Sequence, residues 1–402
     1  MRLNILDGFR GFFLVFMMVA HANAYLDAPL GHINHHYFGW VEDAQGFVFI
    51  SGLVVGLVYA KRLVRKGAGA MRAGIFARVR TIYSYHAGLI LLFLAAALLL
   101  PLAGVEAQIL RQPAEEPLVF TLAQALLLTG TLHMGILPMY IIFMLATPAV
   151  LVMFSRGQGV VVLAASICLW LVAQTGWPDL AQLPVEGALS AAGHGINLGI
   201  YFNVFAWQAL FVGGLWLGWL MAEGRLDLDR LKRPEMRAVF WIALAAFLVL
   251  GTLDVMAWSG AGDEGWRRMI FANIDRGNLA PIYVVAFAVN LYLVTWLVVA
   301  GPTSGNRGLA WAGEAFRWLF TREALVMLGR HSLQIFAAHV VLVYLLSIAM
   351  AERTLAPMAA NGALLAMLVP LWLVALGREW LQGGAPVAAK PVPVAVAAAR
   401  RK

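Results

Sequence analysis

The sequence predicts an all-α polytopic membrane protein, with about ten transmembrane helices in one bundle enclosing a central cavity. Three observations carry this. Hydrophobic residues make up 62% of the 402-residue chain and charged residues 12%, about half the charged fraction of a soluble domain. Ten apolar stretches approach the roughly 20 residues needed to cross a bilayer. They cover about 8–26, 42–60, 81–103, 136–154, 159–175, 203–222, 237–258, 280–300, 326–350 and 361–381. The third observation is that basic residues gather in alternate loops.

Loop charge sets the count and the orientation. Loop 61–80 holds Lys61, Arg62, Arg65, Lys66, Arg72, Arg78 and Arg80 with no acid, and loop 223–236 adds Arg225, Arg230, Lys232 and Arg233. Loops 27–41 and 176–202 hold no Lys or Arg. Ten spans place 61–80, 155–158, 223–236, 301–325 and the C-terminal tail on the inside. Segment 118–133 is also apolar, but an eleventh span would put 223–236 outside, against the positive-inside bias. That segment is therefore expected to lie on the outer side as an interfacial or re-entrant helix. The net charge of +8 becomes a topology signal with anionic lipid as its partner, and nucleic acid is not expected. One transmembrane domain is expected over 1–382, followed by a disordered basic tail over 383–402. No cleaved signal peptide is expected at the N-terminus. The single Cys168 excludes an internal disulfide and any multi-thiolate metal site.

The first span carries Leu6-Asp7-Gly8-Phe9-Arg10-Gly11 and continues to His21. At about 100° per residue, Asp7, Arg10, Leu14, Met17 and His21 share one stripe. Ionisable groups within a span are expensive and face a protein interior or a watery cavity. Arg10 and His21 stand eleven residues apart, about 16 Å along a helix. They suit the two ends of one long ligand rather than each other, and Asp7 suits pairing with Arg10.

The second span opens on Glu42-Asp43-Ala44-Gln45-Gly46, at the outer mouth, and runs into Phe47-Val48-Phe49-Ile50-Ser51-Gly52. Ser51 and Gly52 fit close helix packing, with a pore-lining role as the alternative. Leu137-Pro138-Met139-Tyr140 starts the fourth span, where a proline in the first turn loses no hydrogen bond. Tyr140 reads first as an interfacial anchor. Asn203, Trp207 and Gln208 share a face at the start of the sixth span, and their amides need partners, either another helix or a ligand. The ninth span carries Gly329-Arg330-His331-Ser332-Leu333, then Phe336 and His339 on the stripe of Ser332. His339 and His21 both lie about thirteen residues in from the inner end. His32, His35 and His36 crowd the first outer loop; few other ligand types stand nearby, so a solvated loop is expected and a metal is not.

These stretches, in this order, resemble the OpgC family, membrane succinyltransferases of osmoregulated periplasmic glucans within the wider transmembrane acyltransferase superfamily. The Arg10–His21 spacing is shared with that wider group and does not separate succinyl from acetyl. One departure is that His133-Met134-Gly135-Ile136 stands where the family pattern has an acidic residue before Leu-Pro-x-Tyr. The resemblance implies a bacterial inner membrane with both termini cytoplasmic, an acyl-CoA co-substrate (succinyl-CoA preferred) on the inside, and a glucan or other glycan acceptor outside. No tightly bound cofactor is implied.

On that reading Arg10, Arg78, Arg80 and Arg330 meet the CoA phosphates, with Ser51, Ser332 and His339 on the donor path. His21 acts as general base on a sugar hydroxyl, or carries the acyl group itself. Asn203, Gln208 or Ser332 supply oxyanion donors, with Trp207 and Tyr140 on the acceptor side. Trp266, Arg267, Arg268 and Arg276 offer a saccharide platform or an interfacial anchor. Two other classes stay open. A proton-coupled transporter would use His21 and His339 as a relay, although no internal repeat supports it. A structural scaffold would leave the buried charges of the first helix unexplained. Acetyl transfer to another glycan or small molecule is the rival within the enzyme class, and a homo-oligomer is left open.

Overall fold

The computed structural model describes residues 4–130, 133–180 and 182–383. Among them the chain is helical and polytopic, and no strand forms. Eight helices are long and apolar enough to cross a membrane. The spanning elements are α1 (Asn4–Leu26), α2 (Asp43–Leu99), α3 (Ile136–Ser155), α4 (Gly159–Ala173), α5 (Val204–Ala222), α6 (Pro234–Ser259), α7 (Pro281–Val299), the half-helix α8 (Glu323–Arg330), α9 (Ser332–Ala349) and α10 (Pro357–Leu381). α4 is apolar but shorter than the rest.

The long α2 contains two of the ten expected spans, because it doubles back. Gly67 adopts φ 79° and ψ 173°, a left-handed region that glycine enters without a Cβ penalty. The Tyr59 hydroxyl donates to the carbonyl of Gly74 at 3.1 Å. In a straight helix those residues would be about 22 Å apart. The basic stretch 61–80 is thus the tip of a helical hairpin.

The descending arm of α2 packs on α5 through two glycine pairs, Gly52/Gly56 and Gly214/Gly218. A Cβ on Gly52 would land on the carbonyl of Phe211, and one on Gly56 on that of Leu215. A Cβ on Gly214 would meet the carbonyl of Phe49, and one on Gly218 that of Leu53. Small residues one turn apart let parallel backbones touch, so Gly52 is a packing residue. Gly213, by contrast, has open space around it. Gly214→Ala is therefore expected to lower the thermal midpoint in detergent, at a cost of about 1–3 kcal/mol. Gly213→Ala should leave it unchanged or raise it, by up to about 1 kcal/mol of helix propensity. Equal midpoints for the two variants would remove this account of the seam.

α1 lies inside the bundle. Its Leu14, Met18 and Ala22 are fully buried. Gly8 and Gly11 take the carbonyls of Phe320 and Leu325, and Gly329 takes that of Asp7. The α8–α9 helix pair breaks at His331 (φ −104°, ψ 27°), which lets α8 lie against the first turns of α1. The inner loop helix Arg307–Phe320 brings Phe320 onto Phe9, with ring centroids 3.7 Å apart. α6 and α7 form an outer pair joined by Phe240 and Trp296 at 4.3 Å and by the Tyr292 hydroxyl on the carbonyl of Met236. Ile242 and Val249 on α6 and Leu365 on α10 stay exposed, as lipid-facing side chains do.

Among the described residues, segment 118–133 supplies the short helix Pro117–Ala125, which is about 14 Å long and too short to cross. Thr131 and Leu132 lie outside the described residues, as does the expected tail beyond Gly383. The outer loop 27–41 is tied down at its far end. Asp254, a buried acid on α6, accepts from the backbone N–H groups of Gly39 and Trp40 at 2.9 and 3.4 Å.

Candidate functional site

The stripe on α1 reaches from the inner to the outer half of the bundle. At its inner end Asp7 and Arg10 form an ion pair at 4.0 Å, as expected. Arg10 also donates to the hydroxyl of Ser332, at the start of α9, and its guanidinium lies 5.5 Å from the ring centre of Phe47. Three helices therefore hold one cation. Tyr140 on α3 stands within electrostatic reach of both Arg10 and Arg78, and Arg78 also reaches Tyr59. Arg78 is half-buried on the ascending arm of α2 while Arg80 is exposed. A line of cations and phenols thus runs inward from Arg10 to the hairpin tip. Ser51 is buried. Arg330 is matched by Glu323 at 2.7 Å and Glu379 at 3.2 Å, with His331 also 3.8 Å from Glu379. Its charge joins α8 to α10.

At the outer end of the stripe, His21 and His339 meet. Nδ1 of His21 is 2.8 Å from Nε2 of His339, and the rings lie nearly parallel with centroids 4.9 Å apart. His339 is completely buried, whereas His21 keeps partial exposure. His133 packs its ring edge-on against His21 at 4.6 Å and against Tyr344 at 5.9 Å. Burial pushes the His133 imidazole down to about 4, so it is uncharged at neutral pH. His21 thus sits between a fully enclosed imidazole and a neutral one. A single hydrogen bond between Nδ1 and Nε2 fixes the ring plane of His21 and leaves its Nε2 on the opposite side. His36 and Arg276 lie within electrostatic range of His21.

Asn203, Trp207 and Gln208 mainly build the outer wall. Asn203 Nδ2 donates to Asn278 at 2.7 Å and its Oδ1 caps α5 at the N–H of Phe205. Trp207 is fully buried and its Nε1–H donates to the carbonyl of Gly277. Gln208 exchanges two hydrogen bonds with Ser166 on α4, both 2.7 Å. The amides thus find helix and loop partners. Beside them opens a cleft of about 700 Å³, lined among others by Tyr201, Asn203, Trp258, Phe271, Arg276 and Tyr283. Trp266 and Arg268 share the short helix Glu264–Ala272 with Phe271 but are absent from the cleft lining; Arg268 is exposed and pairs with Glu264.

Arg276 reaches from this cleft to Glu42, 2.9 Å away. Burial pushes the Glu42 carboxyl up, and the Arg276 guanidinium opposes that shift. Glu42 also begins a capping box: Gln45 accepts from the N–H of Glu42, and its Nε2–H₂ donates to the carbonyl of Tyr283 on α7. This ion pair, with Tyr201 and Tyr283 around it, was hidden in the sequence, where its members stand 234 positions apart. The contact of His133 with His21 was equally hidden. Its signal was the histidine standing where the resemblance leads one to expect an acid.

Among the described residues, a helical polytopic bundle with a part-accessible histidine in its first helix, basic residues at one end and an aromatic, polar cleft at the other defines a polytopic membrane protein with a histidine-centred site. The family model described as OpgC protein matches residues 2–383, nearly the whole chain; the chain belongs to that family, which makes it a glucan-modifying, acyltransferase-like membrane protein. No curated protein and no solved structure matches it.

Proposed function

We propose that this protein is an integral membrane O-acyltransferase that moves an acyl group, succinyl in the first reading, from cytoplasmic acyl-CoA to a hydroxyl of a periplasmic glucan. The observation that carries the reading is the His21–His339 pair. Its geometry supports a base whose Nδ1–H donates to His339 and whose Nε2 faces the reaction. The acceptor hydroxyl gives its proton to Nε2 of His21 while its oxygen attacks the thioester carbonyl. Collapse of the tetrahedral intermediate breaks the C–S bond, and the imidazolium returns the proton to the CoA thiolate. His339 is then a positioning residue rather than a donor contact. Direct transfer is preferred over an acyl-enzyme at His21.

The donor enters from the hairpin tip, where Arg78 and Arg80 meet its phosphates. Its pantetheine arm passes Tyr140 and the Arg10–Ser332 contact toward His21. The acceptor arrives from the outer cleft, where Tyr201, Trp258 and Phe271 offer ring faces and Arg276 offers a cation to sugar hydroxyls. Asn203 and Gln208 are not assigned as oxyanion donors, because their amides are engaged elsewhere. The positive loops together with the family support an inner bacterial membrane with cytoplasmic termini.

The test is transfer across proteoliposomes, with succinyl-CoA or acetyl-CoA inside and glucan outside, read by mass spectrometry of the acceptor. A succinyl ester on the glucan, formed faster than an acetyl ester, is the expected result. Acetyl transfer alone would replace the donor. Proton-gradient-driven flux without CoA, and no ester from either donor, would replace the enzyme with a transporter.

A further inference from the structure

We propose that His35, His36 and Asp43 form a binding site for one first-row transition-metal dication of the Zn²⁺ class at the outer mouth of the bundle. The site does not depend on the acyl-transfer reading. Nε2 of His35 lies 3.1 Å from Oδ1 of Asp43, and Nε2 of His36 lies 2.7 Å from Oδ2. One ligand atom from each residue falls within 4.8 Å of the others. Ligand atoms around a tetrahedral zinc, with bonds of about 2.0–2.1 Å, stand about 3.3 Å apart.

Two features separate this cluster from ordinary histidine–carboxylate pairing. First, the Asp43 side chain is 1% exposed, and the groups facing its two oxygens are the imidazole nitrogens of His35 and His36. A carboxylate buried this far is costly unless a positive charge meets it. Second, the backbone N–H of Asp43 donates to Nε2 of His36 at 3.3 Å, so that nitrogen presents a lone pair. A carboxylate oxygen 2.7 Å away presents another. A positive species between them relieves the repulsion. A proton placed on Nε2 would forfeit the bond from the Asp43 N–H, whereas a metal shares the lone pairs of all three groups.

Two imidazoles and a carboxylate leave a fourth position for water. Phe12 and Phe16 of α1 pack on the His35 ring at 5.7 and 5.2 Å, giving the site an apolar wall of the kind that steadies ligands. The ion would fasten the outer loop 27–41 to the first turn of α2. The sequence pointed away from a metal because the carboxylate that completes the set stands seven positions beyond His36, in a helix. His32 is not part of the set: it pairs with Asp27 at 3.1 Å on the surface.

The probe is Co²⁺, titrated into tag-free, chelator-treated protein in detergent and read by visible absorption. One equivalent is expected to give the intense bands of a tetrahedral site, and Zn²⁺ should bleach them. His35→Ala and His36→Ala are expected to weaken binding at least tenfold, and His32→Ala to leave it unchanged. Wild-type protein that gives only the weak spectrum of hydrated Co²⁺ at one equivalent overturns the site without recourse to any variant. Bands that persist in both His35→Ala and His36→Ala overturn it as well.

Discussion

The His21→Asn protein is expected to insert and fold, and to lose acyl transfer by about a hundredfold to ten-thousandfold, the range supplied by a positioned general base. Asparagine is the sharper substitution than alanine. Its Nδ2–H₂ can stand where Nδ1 of His21 meets Nε2 of His339 and donate as the proposed tautomer does, so the completely buried ring of His339 keeps a partner. Truncation to alanine would also strip that partner, adding about 1–3 kcal/mol of instability and mixing folding with chemistry. His21→Ala should still abolish transfer. His339→Phe makes the complementary case. It fills the space but accepts no hydrogen bond, so His21 is free to tilt or change tautomer. A displacement of about 1 Å at a reacting group costs roughly a hundredfold. The loss should fall on kcat, with KM for the donor little changed, because the proposed phosphate contacts lie at the other end of the stripe. Full activity in His21→Asn, measured with donor and acceptor at saturation, would end the general-base mechanism. A change in KM alone in His339→Phe would return that residue to the donor path.

These expectations draw on both the sequence and the fold, and the division between them is physical. Periodicity is local, so the spans and the stripe Asp7–Arg10–His21 were legible. The matching depth of His21 and His339 was legible too, since depth along a span is a count of residues. That the two rings touch was not, because which spans are neighbours depends on packing. The Arg10–Ser332 bond, the His133 contact and the Glu42–Arg276 pair were hidden for the same reason. Asn203 and Gln208 show the converse. Their need for partners was legible, but the sequence left ligand and helix open, and the structure supplies Asn278 and Ser166. Asp254, alone in an apolar run, carried the same signal as His21 and went unread. It holds the loop that carries the outer histidines.

Gly329→Ala is expected to be the most damaging small substitution outside the histidines. Gly329 is in the last turn of α8, and a Cβ there would land on the backbone carbonyl of Asp7. No side-chain rotation relieves a clash with backbone, so α1 and α8 must move apart. Overpacking of this kind costs about 1–3 kcal/mol, occasionally more. The consequence for function follows from what that seam holds. Asp7 pairs with Arg10, and Arg10 reaches Ser332 one break beyond α8. Separating the helices moves the cation that three helices share, so donor affinity should fall together with the thermal midpoint while His21 and His339 remain in place. Gly362→Ala on α10 is the matched control. Nothing lies within 4 Å of a Cβ there, and replacing a helical glycine should add up to about 1 kcal/mol. Donor binding to purified protein, with melting curves for both variants, reads the difference directly. If Gly329→Ala melts and binds like wild type, close approach of α1 and α8 does not position Arg10, and the inner half of the proposed donor path loses its anchor.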